Sequence, residues 1–155
     1  MPELAFAAIG DLLTQALIGG DFSIYSRLFD LPVNMKPRFD LSYVIETEAA
    51  LRVDFELFRR NLHGHGVTDI FRQIVDITTL DPQHVKVRVL SHIMARAQRI
   101  VDPFEVAFWL SEQPDGWRIY EVESVGGDVN WTLGRTETKA EKSDSTVKGE
   151  GDAKA

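Results

Sequence analysis

Hydrophobic and polar residues alternate along four successive stretches in the second half of the chain, which is the spacing of β-strands. Turn-forming residues separate these stretches at positions 81–82, 101–103 and 114–116. Pro fixes its own φ angle and Asp and Gly tolerate turn geometry, so these clusters favour reversals between consecutive strands. The pattern predicts an antiparallel meander whose strands span residues 68–80, 84–99, 103–112 and 117–123.

The first part of the chain carries apolar residues every three or four positions, which is the spacing of amphipathic helices. Gly19 and Gly20 are suited to end the first helix, and Pro32 is expected to end the second. Asp21 and Thr47 are suitable N-caps, because a short side-chain oxygen can accept a free backbone N–H. The predicted helices span residues 3–18, 22–30 and 48–63.

The third predicted helix gathers its apolar residues into one continuous ridge, formed by Leu51, Phe55, Phe58 and Leu62. Two short extended segments, residues 33–35 and 41–46, precede this helix and are expected to form a small hairpin. The fold class is therefore α+β, with the meander and the short N-terminal hairpin forming an antiparallel sheet that three helices cover.

Both faces of the predicted sheet carry apolar residues, although only one face can be covered by the helices. Exposed apolar surface of this extent is typical of an interface, so we expect a homodimer through the outer face of the sheet. The residues assigned to that outer face are Ile70, Ile74, Leu90, Met94 and Trp109.

Composition limits the function classes. The 155 residues carry a formal net charge of -7, which disfavours nucleic acid as a partner, and they include no cysteine. No apolar run approaches the roughly 20 residues of a membrane-spanning helix. The N-terminus lacks the basic start of a signal peptide, so a cytoplasmic location is expected. We expect one domain at residues 1–125, a short extension at 126–134 and a disordered tail at 135–155.

Two local sequences support a resemblance to a known superfamily. Residues 20–29 read Gly-Asp-Phe-Ser-Ile-Tyr-Ser-Arg-Leu-Phe, and residues 115–119 read Asp-Gly-Trp-Arg-Ile. Together with the order of predicted elements over residues 4–124, they resemble the nuclear-transport-factor-2-like (NTF2-like) superfamily. That resemblance implies a cone-shaped α+β fold with a curved sheet wrapped around helices. It leaves the function open, because the superfamily includes isomerases, dehydratases, epoxide hydrolases, cyclases and non-catalytic adaptors.

Two branches of the superfamily suggest candidate catalytic acids. The ketosteroid-isomerase-like branch places its general-base aspartate directly before a proline, and Lys36 occupies that position here. Asp40 is nearby in sequence but is a poor substitute. The polyketide-cyclase-like branch uses an acidic residue deep in the cone. Asp76, Glu105 and Glu121 are the candidates, yet alternation places all three on the less apolar face.

Histidine and tyrosine provide the other candidates. His63 and His65 have a spacing that can hold a metal, but a solvated cap of the third helix is favoured, and no metal or cofactor is expected. Alternation places His92 on the outer face, and only a β-bulge would turn it inward to act as an acid or base. Tyr25 is expected to be buried, with its hydroxyl bound either to the backbone or to a ligand carbonyl.

The sequence therefore predicts a small apolar molecule bound in the cone, with or without weak acid–base chemistry of the isomerase, cyclase or dehydratase type. The alternative is a non-catalytic dimeric interaction protein whose cone is filled by its own side chains. The residues expected at the ligand site are Tyr25, Phe55, Phe58, Gln73, Ser91, His92 and Phe108.

Overall fold

The computed structural model describes residues 2–38 and 40–124. This part of the chain contains three helices and seven strands. The predicted extension at 126–134 and tail at 135–155 lie outside these residues. The helices are α1 (Pro2–Gly19), α2 (Phe22–Ser26) and α3 (Glu48–Gly64). The strands are β1 (Phe29–Lys36), β2 (Tyr43–Ile45), β3 (Asp69–Asp81), β4 (His84–Ala95), β5 (Gln98–Arg99), β6 (Phe104–Gln113) and β7 (Gly116–Ser124).

The strands form one curved sheet in the order β2-β1-β7-β6-β4-β3, with the short β5 paired to β4. The predicted meander is confirmed, because β3, β4, β6 and β7 pair antiparallel in sequence order. The predicted hairpin is also confirmed, as β2 pairs antiparallel with β1. One pairing is not antiparallel: β1 runs parallel to β7, which makes the sheet mixed.

The helices cover one face of the sheet and enclose the core with it. Both predicted N-caps are confirmed, since Asp21 accepts the Ile24 N–H and Thr47 accepts the Ala50 N–H, each at 3.1 Å. The predicted ridge of α3 also faces inward. Each of its four residues is at most 4% exposed: Leu51, Phe55, Phe58 and Leu62.

The second helix is shorter than predicted, because it ends at Ser26 and the chain enters β1 at Phe29. The backbone of this segment gains sheet partners instead, as the Ile119 N–H donates to the Leu28 carbonyl at 2.8 Å. Pro32 therefore does not end a helix. It lies within β1, where the register against β7 shifts and the missing proline N–H is tolerated.

The long predicted strand at residues 84–99 is two strands with a turn between them. Arg96 and Ala97 adopt φ angles of 54° and 70°, which reverse the chain between β4 and β5. The Thr68 hydroxyl holds this turn by accepting the Arg96 N–H at 2.8 Å. The sequence gives no warning of the turn, because non-glycine residues rarely adopt such φ angles.

Over residues 70–75, strand β3 presents the opposite faces from those predicted, and a register shift between Ile74 and Asp76 returns Ile77 to the predicted inner side. Ile70 is buried and Arg72 and Ile74 are half-buried on the helix side, whereas Phe71 is exposed. The assignment of Ile70 and Ile74 to the outer face is therefore wrong. The error arises because a charged residue between two isoleucines looks like the polar side of a strand. Leu90, Met94 and Trp109 do lie on the outer face, as predicted, since they alternate with buried neighbours.

Candidate functional site

A small group of polar side chains lies within the apolar interior that the helices and the sheet enclose. Tyr25 comes from α2, Tyr43 from β2, Asp54 from α3 and Arg72 from β3. The Tyr43 hydroxyl donates to Asp54 Oδ1 at 2.8 Å, and Asp54 is only 6% exposed. Four separate elements thus bring ionisable groups into one region, which is typical of a functional site.

Tyr25 and Arg72 both border an internal cavity of about 20 Å³. This volume holds about one water molecule, so the interior is nearly filled by protein side chains. The remaining lining is apolar: Leu13, Leu17, Phe29, Met35, Phe58, Phe108 and Val122.

The ring of Tyr25 is fixed by aromatic packing. Its centroid lies 4.7 Å from that of Phe29 and 4.6 Å from that of Phe55. Burial raises the pKa of Tyr25 well above its usual value, and the negative charge of Asp54 raises it further. Tyr25 is therefore a neutral hydrogen-bond donor at physiological pH.

Arg72 is held by α1 through one end of its guanidinium group. Nη1 donates to the Gly10 carbonyl at 2.9 Å and to Thr14 Oγ1 at 2.8 Å. Nε is shielded from solvent and donates no hydrogen bond within the described part of the chain. Burial lowers the pKa of Arg72 to about 10, so the group still carries its charge at neutral pH.

Arg72 also borders a groove of about 240 Å³ that opens between α1 and the edge strand β3. Arg72 is thus the one residue that these two linings share. The other groove residues are Phe6, Ala7, Gly10, Asp11, Ile70, Phe71 and Ile74.

Comparison with known proteins identifies the fold through solved structures and not through sequence. No protein-family model matches the chain, and no curated protein matches its sequence. Solved structures do. An NTF2-like protein of unknown function from Shewanella oneidensis MR-1 aligns with a TM-score of 0.60 at 12% identity, over 80% of this chain and 98% of that one. This chain has the NTF2-like fold.

Two further NTF2-like structures support the same assignment. A candidate dehydratase of the NTF2-like family from Streptomyces avermitilis aligns with a TM-score of 0.59 at 13% identity, over 82% of this chain and 99% of that one. An NTF2-like protein with a cystatin-like fold from Novosphingobium aromaticivorans aligns with a TM-score of 0.55 at 14% identity, over 90% of this chain and 87% of that one. At such identities the likeness establishes the fold alone.

Within this NTF2-like fold, some of the predicted site residues meet and others do not. Tyr25, Phe58 and Phe108 line the inner cavity, and Phe55 packs directly on Tyr25. Ser91 is fully buried on the inner face of β4 but is not part of the cavity lining.

Gln73 and His92 lie outside the cone. Gln73 is exposed because it alternates with the inward Arg72, so β3 contributes arginine to the interior instead of glutamine. His92 is on the outer face, as strict alternation predicts, because no bulge interrupts β4 there. Its ring centroid lies 5.5 Å from that of Phe71.

The other candidates lie where the residue patterns indicate. Asp76, Glu105 and Glu121 are on the outer face, where Arg88 pairs with the first two and Lys36 pairs with Glu121 at 2.8 Å. His63 and His65 are exposed at the end of α3, and His65 Nδ1 lies 2.8 Å from the Asn61 carbonyl. Within the part of the chain that the structure describes, no helix has both the length and the apolar character needed to cross a lipid bilayer.

Sequence reasoning missed Arg72, Asp54 and Tyr43. The hydrophobic pattern does indicate two of these three residues. Arg72 falls in phase with Ile70 and Ile74, and Asp54 falls within the apolar ridge of α3. A charged residue at an apolar position is more informative than another apolar residue there, because burying it requires a compensating partner.

Proposed function

We propose that this NTF2-like chain binds a small molecule in the interior of its cone, with Tyr25 and Arg72 as the polar contacts. The supporting observation is that both residues border the same apolar cavity, while Arg72 Nε is buried there without a hydrogen-bond acceptor among the described residues. A buried donor without an acceptor costs about 1–3 kcal/mol. A ligand oxygen between the two residues would satisfy Arg72 Nε and could also accept a hydrogen bond from the Tyr25 hydroxyl.

Binding requires the cavity to enlarge. Its volume of about 20 Å³ is far below the roughly 300–1,000 Å³ of most ligand sites. Movement of the Arg72 side chain would join the cavity to the groove of about 240 Å³ between α1 and β3. The proposed ligand is therefore small and mostly apolar, and it carries at least one acceptor oxygen.

The proposal extends to weak acid–base chemistry of the isomerase, cyclase or dehydratase type. Tyr25 would donate to a ligand carbonyl and stabilise negative charge that develops on its oxygen. Its raised pKa supports this role, because the hydroxyl keeps its proton at neutral pH. Asp54 is the carboxylate whose charge acts on Tyr25, and it is our candidate for a general base.

The Tyr25→Phe variant tests the role of the hydroxyl. A thermal-shift screen with small hydrophobic carbonyl compounds and lactones should find ligands that stabilise the wild-type chain. Loss of one hydrogen bond should weaken their binding about tenfold in Tyr25→Phe. Tyr120→Phe is the matched control, because Tyr120 is half-exposed in β7 and lies outside the cavity. If no compound stabilises the wild-type chain, the proposal fails.

The nearly filled interior favours a second candidate function, that of a non-catalytic interaction protein. In this case the working surface would be the outer face of the sheet, through which we propose a homodimer. Trp109 is central to this face, with Lys36 and Lys86 amines 5.9 and 4.9 Å from its ring centroid. Phe71 and Val75 of β3 are 57% and 50% exposed, which adds apolar area.

Sedimentation at micromolar concentration tests the dimer. The wild-type chain should sediment as a dimer, and Trp109→Glu should shift it to monomer because it replaces apolar contact area with a carboxylate that would lose its water on association. The variant should still fold, since Lys36 and Lys86 lie beside the new carboxylate. Val53→Glu is the control, on an exposed position of α3. A wild-type monomer contradicts the dimer.

A further inference from the structure

We infer that the ligand is a small organic carboxylate whose anionic end binds Arg72 where the groove between α1 and β3 meets the interior of the cone. This inference rests on the proposed function and narrows its ligand class from any acceptor oxygen to a negatively charged one.

The charge of Arg72 favours an anionic ligand. Arg72 carries a cation into the interior, and no carboxylate forms an ion pair with it within residues 2–38 and 40–124. Removing a charge from water without a counter-charge is costly. Asp11 and Asp69 act on Arg72 only at a distance, and Asp69 Oδ1 accepts the Ile70 N–H. A bound anion would supply the missing charge.

The hydrogen bonds of the guanidinium group also favour a carboxylate. Both hydrogen bonds to α1 use Nη1, so they fix the group without using its Nε. Nε and Nη2 present two parallel N–H bonds on one edge, and this fork matches the two oxygens of a carboxylate. A neutral carbonyl has one oxygen, which would have to accept both N–H bonds at once, so it matches the fork less well than a carboxylate does.

The other residues that line the cavity suit the remainder of such a ligand. Tyr25 borders it as an uncharged donor, so it does not repel an anion and can donate to one carboxylate oxygen. Phe58 and Phe108 offer apolar surface for the body of the ligand. The arrangement suits an acid with a short aliphatic or aromatic body.

Matched acids and amides test the inference on the full chain. Acetate, hexanoate and phenylacetate are titrated beside acetamide, hexanamide and phenylacetamide, because each pair differs in charge but hardly in shape. At least one acid should bind about tenfold or more tightly than its amide. Arg72→Met should remove that preference, and Arg60→Met, at an exposed position of α3, should keep it.

A second variant keeps the test decisive if Arg72→Met does not fold. Asp11 is exposed, lines the groove and acts electrostatically on Arg72. Asp11→Asn removes a negative charge near the bound anion, so it should tighten acid binding about two- to fivefold more than it changes amide binding, and equal changes for acid and amide would overturn the inference.

The outcomes separate the two proposals. If no acid binds more tightly than its amide, or if Arg72→Met keeps the preference, the carboxylate inference is overturned. Neutral carbonyl compounds that still stabilise the wild-type chain would then leave the proposed function intact. If neither the acids nor the neutral compounds bind, both proposals fail together.

Discussion

Phe55→Ala is expected to lower the free energy of unfolding by about 3–5 kcal/mol. Phe55 is fully buried at the middle of the α3 ridge. Its ring centroid lies 5.3 Å from that of Phe22 and 4.6 Å from that of Tyr25. Removing the ring deletes these contacts and leaves a cavity that the surrounding sheet cannot collapse to fill.

Urea denaturation of Phe55→Ala beside Val53→Ala measures this effect. Val53 is on the same helix but is 62% exposed, so its truncation should change the free energy of unfolding by less than about 0.5 kcal/mol. Equal, small losses for both variants would mean that the ridge does not face the sheet. That result would contradict both the cone-shaped packing of α3 on the sheet and the interior site.

Arg72→Met is expected to raise the free energy of unfolding in the absence of ligand, by about 1–4 kcal/mol. Methionine has a similar length and fills the space without a charge. The partners of Arg72 keep other hydrogen bonds. Thr14 Oγ1 donates to the Ile70 carbonyl at 3.2 Å, and the Gly10 carbonyl lies within α1. The substitution therefore leaves no orphaned acceptor.

Arg72→Ala is the matched comparison, because it removes the charge but leaves a cavity and so should be less stable than Arg72→Met. Thermal denaturation of both variants without ligand separates the two effects. A loss of more than about 2 kcal/mol in Arg72→Met would identify the arginine as an anchor between α1 and β3. That result would contradict the inference that Arg72 is buried in order to bind a ligand.

Long, regular patterns predicted most of the fold. The α3 ridge and the alternating strands of the meander are repeated signals, so single exceptions do not hide them. The pattern wrongly extends the second helix to residue 30, because the strand character of the start of β1 depends on pairing with β7, which is remote in sequence. The sequence does not predict the β4–β5 turn, because Arg and Ala rarely adopt the positive φ angles that Arg96 and Ala97 have here.

The candidate site was only half predictable. Tyr25, Phe58 and Phe108 follow from the apolar spacing of their elements, and all three line the cavity. Gln73 is predicted to face inward because it shares its side of the strand with Phe71, Val75 and Ile77, and this set is more apolar than the one that contains Arg72. Here Arg72 turns inward, where the Gly10 carbonyl and Thr14 of α1 accept its hydrogen bonds.

The interior site is tested most directly by an NMR titration that observes the Nε–H resonance of Arg72, assigned from its absence in Arg72→Met. Phenylacetate, hexanoate and acetate are each added to the wild-type chain. We expect at least one acid to shift this resonance in a saturable manner, while the Nε–H of the exposed Arg60 stays in place. An Arg72 resonance that does not move at saturating concentrations of any of the three acids would contradict a carboxylate site in the cone.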